Sequence, residues 1–472
     1  MNRIVGIDLG TTHSLIAFAQ AGKPAVLPDE AGRALVPSVV ALPEGGAPLV
    51  GVEALALAER QARRTAYSVK RFMGRGLADV ASIRSLLPFD LSASTDEVVK
   101  LILGEKAYTP VELSGMILGR LRAIAERRLE GPVDRAVITV PAYFNDAQRQ
   151  ATIAAARLAG LEVARLVNEP TAACLAYGLH ERQEGLVAVY DLGGGTFDVS
   201  ILRLAGGVFE VVATHGDTEL GGDDLDRALM AVVAEQVLAA TSVDLLAAPE
   251  TAMQLRAAVK EAKEALSEAE SATMAIRLPD GRRLELGLER GDLEALARPI
   301  LDRTLAPCRQ ALADAGLGAS AIDEVVLVGG ATRMPLVKAM VAELFGRTPY
   351  DRLDPDQVVA LGAAVQAEIL MGQRQDMLLV DVVPLSLGIE TMGGTVEKLI
   401  HRNSPIPTSA KESFTTFVDH QTAIALHVVQ GERELAADNR SLARFSIPIT
   451  PQLAGLPRVE VKFTIDANGV LT

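Results

Sequence analysis

Residues 190–198 read YDLGGGTFD, and apolar runs precede and follow them. This pattern predicts a strand, a glycine turn and a second strand. Three consecutive glycines leave no Cβ at the tip of the turn, so backbone N–H groups can approach a bulky anion closely. Asp191 and Asp198 flank the turn and Thr196 adds a hydroxyl, and carboxylates beside a phosphate suit a hydrated magnesium ion. Taken alone, the stretch is equally consistent with an ordinary glycine-rich β-hairpin.

A second stretch near the N-terminus, residues 4–12, reads IVGIDLGTT and repeats this pattern. Both stretches contain an apolar strand, then Asp-Leu-Gly, small residues and a threonine. The repetition predicts two related lobes, each with one phosphate-binding hairpin, that grip one nucleotide from opposite sides. The sequence lacks the Walker pattern, which connects a strand to a helix and ends in Gly-Lys-Ser/Thr.

Further positions are candidates for the same site. Residues 324–328 predict a strand that leads into Gly329 and Arg333, and this arginine could stack on a flat nucleoside ring. Glu169 stands between a predicted strand and a predicted helix, where a catalytic carboxylate and a helix-dipole carboxylate are equally expected. Lys70 lies among basic neighbours, and it is either a solvated lysine or a phosphate contact.

The bulk composition limits the classes of function. A chain of 472 residues predicts ~3 domains. Its net charge of −14 argues against nucleic-acid binding, because few cations are left to neutralise phosphates. Cys174 and Cys308 lack metal-ligand spacing, so we expect buried apolar thiols in a reducing compartment. The N-terminus lacks the features of a signal peptide, and no apolar run reaches the ~18 residues that span a bilayer. We therefore expect a cytoplasmic protein without a membrane segment.

Hydrophobic periodicity changes near residue 376. Before it, apolar spacing predicts helices over residues 53–64, 109–129, 147–159 and 292–315, and strands over residues 37–42 and 135–140. Residues 376–381, DMLLVD, are apolar between acidic residues, which favours a segment that docks reversibly in a groove. Beyond it, alternation over residues 422–429 and 459–465 predicts strands of a separate all-β domain.

Eight motifs together resemble the seventy-kilodalton heat-shock chaperones (DnaK-type): GIDLGTT, VKRFMGR, ITVPAYFNDAQRQAT, VNEPTAACLAYG, YDLGGGTFD, LGGDDLD, GGATRMP and DVVPLSLGIET. The resemblance implies a two-lobed α/β ATPase domain of the actin-like (ribonuclease-H-like) fold over residues 1–375. It further implies a hydrophobic linker over 376–383 and a β-sandwich substrate-binding domain over 384–472. LPDEAGRALVPSVV, FMGRGLAD, ETMGGTVEKLI and the bulky Phe417 are most similar to the HscA-like branch, which serves iron–sulfur cluster assembly.

The same motifs imply site residues in the ATPase domain. Phosphate contacts fall on Gly10, Thr11, Thr12, Gly193, Gly194, Gly195 and Thr196, and further nucleotide contacts fall on Gly221 and Gly222. Magnesium would be held through water by Asp8 and Asp191, and Lys70, Glu169 and Thr196 would surround the attacking water. The adenosine would be lined by Lys263, Ser267, Gly329, Gly330 and Arg333, and Asp356 would be a further nucleotide contact. Lys260 departs from the family pattern, because many relatives carry a ribose-binding glutamate at this position.

The resemblance also implies residues of the β-domain and of the communication between domains. Peptide-pocket and arch positions are Ile389, Met392, Phe414, Phe417, Ile424, Leu426 and Val428. The nucleotide state would be relayed through Pro141, Arg149, Arg165, Leu378, Leu379 and Asp381. The chain ends at DANGVLT, where the family continues into a helical lid, so we expect a truncated form of the protein.

The implied function is that of an ATP-dependent chaperone, whose slow hydrolysis switches the β-domain between low and high affinity for extended hydrophobic peptides. Its cofactors would be ATP or ADP with magnesium, and potassium is an additional candidate ion. Its partners would be a J-domain co-chaperone, hydrophobic client segments such as those of an iron–sulfur scaffold protein, and a nucleotide-exchange factor, with the chaperone itself a monomer. The alternatives are a general protein-folding DnaK-type chaperone, an actin-like filament ATPase and a sugar or acetate kinase.

Overall fold

The computed structural model describes residues 3–81, 84, 87–92, 98–180 and 184–472. The helices of this part of the chain are α1 Val52–Ala58, α2 Pro110–Arg128, α3 Asp146–Leu158, α4 Glu169–His180, α5 Gly222–Thr241, α6 Pro249–Ala265, α7 Arg290–Leu301, α8 Leu305–Asp314, α9 Pro335–Phe345 and α10 Val358–Leu370. Among these described helices, none has the length and apolar character needed to cross a membrane.

The strands of the first half are β1 Ile4–Asp8, β2 His13–Gln20, β3 Lys23–Val26, β4 Val36–Pro37, β5 Val40–Ala41, β6 Leu49–Val50, β7 Thr65–Ala66, β8 Asp90–Ser92, β9 Lys100–Leu103, β10 Lys106–Tyr108, β11 Arg135–Val140, β12 Glu162–Asn168, β13 Gly185–Leu192, β14 Phe197–Ala205 and β15 Val208–Asp217. Those that follow are β16 Ser271–Arg277, β17 Arg283–Glu289, β18 Glu324–Val328, β19 Leu378–Val382, β20 Leu387–Glu390, β21 Val396–Ile400, β22 Pro405–Ile406, β23 Thr408–Thr415, β24 Ala423–Gln430, β25 Arg440–Pro448 and β26 Arg458–Ile465.

Two sheets carry the two predicted hairpins. In the first, the order is β12-β11-β1-β2-β3, with β1 parallel to β11 and antiparallel to β2. In the second, the order is β18-β13-β14-β15-β19-β22, with β13 parallel to β18 and antiparallel to β14. Each sheet therefore has a central hairpin beside a parallel strand, as the sequence repeat predicts. We call the first sheet with α1–α3 and β4–β10 lobe 1, and strands β13–β15 and β18 of the second sheet with α5–α9 and β16–β17 lobe 2.

Helices α4 and α10 pack together between the two sheets, and small residues set their spacing. A Cβ on Gly362 would lie 1.7 Å from the carbonyl oxygen of Ala172, and a Cβ on Gly6 would lie 2.2 Å from the backbone nitrogen of Ala364. Neither position accepts a larger side chain without moving a backbone. The buried cluster around these helices includes Val137 of the first sheet and Val189 of the second. The two lobes thus share one apolar base, and their hairpins lie at the same end of it.

Apart from β22, the strands beyond residue 383 form two further sheets. One has the order β21-β20-β24-β25 and the other pairs β23 with β26. Residues of both meet in one hydrophobic cluster, to which Ile389 and Leu426 contribute from the first sheet and Phe463 from the second. The alternation predicted over residues 422–429 and 459–465 is confirmed by β24 and β26.

The apolar segment at 376–381 forms β19, which extends the sheet of lobe 2. Leu378 pairs in register with Val208 of β15, and the backbone N–H of Leu378 donates to the carbonyl of Gly207 at 2.9 Å. On its other side, Asp381 pairs with Ile406 of β22. The segment is docked on the sheet edge through backbone hydrogen bonds.

Three element predictions were wrong in detail. The helix predicted over 292–315 is interrupted by a tight 3-10 turn at Asp302–Thr304, between α7 and α8. Pro299 and Pro307 lack the N–H that a continuous helix requires. The strand predicted over 37–42 is two short strands, because the chain changes partner from β2 to β6 and β7. The helix predicted over 53–64 ends at Ala58, and a separate 3-10 turn follows at Ala62–Arg64.

Candidate active site

A cavity of about 540 Å³ lies between the two lobes, where the hairpins face each other. It brings together most of the predicted nucleotide-site residues: Asp8, Gly10, Thr11, Thr12, Lys70, Glu169, Asp191, Gly193, Gly194, Thr196, Gly222, Lys263, Ser267, Gly329, Gly330, Arg333 and Asp356. Residues far apart in the chain thus share one concave site with polar groups on every wall.

Gly195 and Gly221 are the two predicted nucleotide contacts that do not line the cavity. A Cβ on Gly195 would lie 2.8 Å from the Thr11 Cγ2 methyl, and one on Gly221 would lie 2.5 Å from the Gly194 carbonyl. A Cβ on Gly195 would meet the side chains of Thr11 and Arg71, whereas a Cβ on Gly221 would meet the backbone of the hairpin tip, so both glycines serve close packing. They let the hairpin of lobe 2 touch both the hairpin of lobe 1 and the start of α5.

The start of α5 caps the glycine tip of the second hairpin. The backbone N–H of Gly222 donates to the carbonyl of Gly193 at 2.9 Å, and that of Asp223 donates to the carbonyl of Gly194 at 2.8 Å. These bonds tie down the carbonyl groups of the tip, while its bare glycines keep the approach to the cavity free of side chains. A helix N-terminus also favours negative charge. The tip is therefore suited to an anionic ligand such as a phosphate.

Lys70 and Glu169 form a buried ion pair inside the cavity. Lys70 lies on a 3-10 helix, Val69–Phe72, of lobe 1, and Glu169 is the first residue of α4. The Lys70 Nζ donates to the Glu169 carboxylate, and both side chains are almost fully buried. The sequence left Glu169 either a catalytic carboxylate or a helix-dipole group, and Lys70 either solvated or functional. The structure places both side chains in the wall of the cavity.

Carboxylates outnumber cations around this pair. Burial, reinforced by the charge of Glu169, raises the pKa of Asp8 to about 7 and the pKa of Asp191 well above its ordinary value. The same causes raise the pKa of Asp198 to about 7. The Asp198 carboxylate accepts a hydrogen bond from the backbone N–H of Tyr143 at 3.1 Å. Sequence reasoning noticed Asp198 beside the turn but did not assign it to the site, although it pairs in register with Asp191.

This surplus of buried carboxylates fits a divalent cation. The Oδ2 atoms of Asp191 and Asp198 are buried and have no hydrogen-bond partner. In the described part of the chain, no three His, Cys, Asp or Glu residues converge closely enough to form a direct metal cage. Magnesium usually keeps several waters and binds through one or two carboxylates. Asp8 and Asp191 therefore fit a magnesium ion held through water.

One face of α6 lines the opposite end of the cavity. The lining residues are Lys260, Lys263 and Glu264 of this helix, with Ser267 and Glu268 in the turn that follows it. Lys263 forms an ion pair with Asp226 at 2.5 Å and donates to the Gly222 carbonyl at 3.2 Å. The Lys260 ammonium lies 3.7 Å from the Glu264 carboxylate. The ammonium of Lys260 thus occupies the end of the site where the family pattern places a ribose-binding glutamate.

Arg333 and His13 complete this end of the cavity. The Arg333 guanidinium pairs with Asp354 and Asp356, each at 2.6 Å, and half of its side chain stays exposed, which leaves a face available for a ring. His13 is a lining residue that sequence reasoning missed, although it directly follows the motif at residues 4–12. Burial, reinforced by the charge of Lys260, lowers the pKa of His13 to about 4. The imidazole is therefore neutral at physiological pH.

The predicted relay residues meet next to Glu169. The Arg149 guanidinium donates to the Asn168 side chain at 2.8 Å and to the Asn468 carbonyl at 3.2 Å. The Asn168 amide in turn donates to the Asp381 carboxylate at 2.9 Å. Arg165 reaches the Ala467 carbonyl at 3.5 Å. Asn168 immediately precedes Glu169 of the ion pair and bonds to Asp381 of the linker strand. Arg149 connects Asn168 to the turn at Asn468.

Pro141, Leu378 and Leu379 occupy less direct places. Pro141 is buried just after β11, where its carbonyl accepts from the backbone N–H of Phe144 at 3.2 Å. Leu379 packs against the apolar base between the lobes, whereas the side chain of Leu378 is 56% exposed. The linker therefore binds by its backbone and one of its two leucines.

The structure divides the predicted peptide-contact residues into two groups. Ile389, Ile424, Leu426 and Val428 are buried in the hydrophobic cluster of the C-terminal sheets, with Phe414 partly buried against it. Met392 and Phe417, the predicted arch residues, are 80% and 69% exposed. The pocket positions are thus packed into a closed core, while the arch positions project into solvent.

Two lobes with paired Asp-Leu-Gly hairpins around one polar cavity define an ATPase of the actin-like class. The family model described as Hsp70 protein matches residues 4–472, and the chain therefore belongs to the Hsp70 family. It is similar to proteins named chaperone protein HscA homolog from Acidithiobacillus ferrooxidans (53% identity over 471 residues), Burkholderia ambifaria (54% over 474) and Methylobacillus flagellatus (52% over 473). Each alignment covers 99% of this chain and 75% of the relative.

These matches confirm the predicted family and the HscA-like branch. The chain is an Hsp70-type chaperone with ATPase activity. Of the alternatives left open by the sequence, the filament ATPase and the sugar or acetate kinase are not supported by this family membership.

Proposed function

We propose that this chaperone hydrolyses ATP slowly in the cavity between the lobes and uses the nucleotide state to set the peptide affinity of residues 384–472. The observation that carries the proposal is the cavity itself. It places both glycine hairpins, the Lys70–Glu169 pair and the buried aspartates around one space. Phosphoryl transfer to water requires positioning and charge neutralisation more than covalent chemistry, and this arrangement provides both.

Each wall of the cavity has a proposed role. The amides and hydroxyls of the two hairpins hold the phosphate chain, and Arg333 with the α6 face holds the nucleoside. The Lys70 ammonium stabilises the charge of the transferred group and orients the attacking water. When bound near Asp8 and Asp191, magnesium would neutralise charge on the β- and γ-phosphates. Because the Glu169 carboxylate is engaged by the Lys70 ammonium, it is not free to take the proton of the water, and we expect slow turnover.

Contacts of residues 384–472 with both lobes support a nucleotide-controlled docking of this part. The Arg402 guanidinium pairs with Asp314 of lobe 2 at 2.7 Å, and Arg440 pairs with Asp79 of lobe 1 at 2.6 Å. The backbone N–H of Leu471 donates to the Asp146 carboxylate at 2.9 Å. Polar interfaces of this kind separate more readily than apolar ones. We propose residues 1–375 as the ATPase domain, 376–383 as the linker and 384–472 as a β-sandwich.

The proposed cycle follows from this docking. We assign low peptide affinity to the arrangement in which the linker is bound as β19 and the pocket residues are packed into the core. Hydrolysis would loosen the contact of Asn168 with Asp381 and release the linker. The two C-terminal sheets could then part around a peptide beneath Met392 and Phe417.

The HscA-like branch suggests the client and the partners. We propose that the client is a hydrophobic segment of an iron–sulfur scaffold protein and that a J-domain co-chaperone delivers it. A nucleotide-exchange factor would be a further partner. The cytoplasm is the proposed compartment, and the free buried thiols of Cys174 and Cys308 support a reducing environment.

The test is ATPase stimulation under two conditions. The steady-state rate is measured with an iron–sulfur scaffold protein plus its J-domain partner, and with a generic unfolded peptide plus a general J-domain protein at matched concentrations. We expect the scaffold pair to give the larger stimulation. A larger response to the generic peptide would instead assign the chain to general protein folding.

A further inference from the structure

Ser68 has an unusual backbone conformation next to the proposed catalytic lysine. Its φ of 52° and ψ of 31° place it in the left-handed region, at the start of the 3-10 helix that carries Lys70. A non-glycine residue occupies this region at a cost in free energy, and such conformations persist only where surrounding contacts enforce them. We therefore expect contacts around Ser68 that hold its left-handed conformation.

The Ser68 side chain is bound by a residue of the opposite lobe. The Ser68 hydroxyl donates to the Asp223 Oδ2 atom at 2.5 Å, although the two residues are 155 positions apart in the chain. The Asp223 Oδ1 atom pairs with the Arg256 guanidinium at 3.3 Å. The same guanidinium lies over the ring of Tyr67, 4.1 Å from its centroid.

These four residues form a closed circuit, which we call the cross-lobe lock: Tyr67, Ser68, Asp223 and Arg256. It begins and ends on neighbouring residues of lobe 1, and its other half belongs to α5 and α6 of lobe 2. Burial alone would raise the pKa of Asp223, but the charges of Arg256 and Arg71 and the Ser68 hydrogen bond lower it. Asp223 therefore remains an ionised acceptor for Ser68.

We propose that the cross-lobe lock positions Lys70 for hydrolysis by holding Ser68 in its left-handed conformation only while the lobes are closed. When the lobes separate, Asp223 withdraws, Ser68 relaxes to an ordinary backbone conformation, and the short helix shifts Lys70 away from Glu169. Arg71, on the same helix, adds a second contact to lobe 2 through Asp224 at 3.3 Å. Closure of the cleft thereby sets the position of Lys70 through the backbone conformation of Ser68.

Ser68 is a positioning residue in this account, because it acts through Lys70. The inference rests on the proposed role of Lys70, so Lys70→Ala is the reference variant in every measurement. A Lys70→Ala protein that hydrolyses ATP normally refutes the role of the lysine. An inactive Lys70→Ala protein beside a fully active Ser68→Ala protein refutes only the lock.

The test compares serine variants in single-turnover hydrolysis at saturating ATP and in equilibrium ATP binding. Ser68→Ala removes the hydroxyl, and we expect the hydrolysis rate to fall about tenfold, or about 1.4 kcal/mol, with ATP affinity within about threefold of wild type. Ser68→Asn should recover most of the rate, since asparagine tolerates the left-handed region and can donate to Asp223.

Ser242 offers a matched control. Its φ of 59° and ψ of 21° give the same left-handed backbone, but it lies at the C-terminal end of α5. Ser242→Ala should leave hydrolysis unchanged. Arg256→Gln tests the lock from lobe 2, and we expect it to lower the rate as Ser68→Ala does, with little further loss in the double variant because both act through Asp223. A wild-type rate in Ser68→Ala, or equal losses of rate and ATP affinity, would overturn the inference.

Discussion

Replacing Lys70 with alanine tests the proposed role of the Lys70–Glu169 pair in hydrolysis most directly. Lys70 and Glu169 are both almost fully buried, and Asp8 and Asp191 lie close to them. Truncation leaves a carboxylate buried without its cation, which costs about 3–5 kcal/mol of stability in typical proteins. The loss of a group that stabilises transition-state charge lowers a rate by about 10²–10³-fold. We therefore expect single-turnover hydrolysis to fall by at least that factor while ATP still binds.

The double variant Lys70→Ala/Glu169→Gln separates stability from catalysis. Neutralising Glu169 removes the unpaired charge, so the free energy of unfolding should recover while the hydrolysis rate stays low. Lys411, whose exposed ion pair with Glu460 spans 3.1 Å, provides the control, and Lys411→Ala should change neither quantity. Single-turnover hydrolysis by Lys70→Ala at the wild-type rate would refute the assigned role.

Three further predictions address other parts of the molecule. The folded-state pKa of His13 is about 4, below the ordinary value for histidine. His13 therefore contributes stability at neutral pH that is lost as pH falls from about 6.5 to 4. In the His13→Asn protein, the free energy of unfolding in urea should change by about 2–3 kcal/mol less between pH 7 and pH 4.5 than in wild type. Ile424→Phe overfills the buried cluster and should weaken the binding of apolar peptides about tenfold, as measured by fluorescence anisotropy. Leu435→Ala, a change at an exposed position, is the control. Unchanged affinity in Ile424→Phe contradicts the pocket assignment. Arg402→Ala breaks the ion pair with Asp314. We expect residues 384–472 to undock, so that the ATP-bound variant has a larger radius of gyration than ATP-bound wild type. An unchanged radius contradicts that interface.

Local signals explain which elements were predictable. Strands β11 and β18 begin and end where the apolar runs predict, because buried parallel strands read as continuous hydrophobic segments. The paired hairpins were predictable because glycine tips and flanking aspartates are local chemistry. Helix α3, predicted over residues 147–159, begins at Asp146 with Asn145 as its cap.

Features that depend on distant residues were not predictable from local pattern. The break between α7 and α8 is stabilised by Thr304, whose hydroxyl accepts a hydrogen bond from Tyr190 at 2.9 Å. The role of Glu169 was open because Lys70 lies 99 positions away. The left-handed Ser68 has no signature in its neighbours, since its partner Asp223 belongs to the other lobe.

The central claim is that the nucleotide in the cavity controls the docking of the linker. Hydrogen exchange at β19 tests it directly, because the N–H of Leu378 is bound to the carbonyl of Gly207 when the linker is docked. We predict that amides of β19 are protected with ATP, in a protein slowed by Lys70→Ala, and exchange rapidly with ADP. Equal protection with both nucleotides would contradict the account.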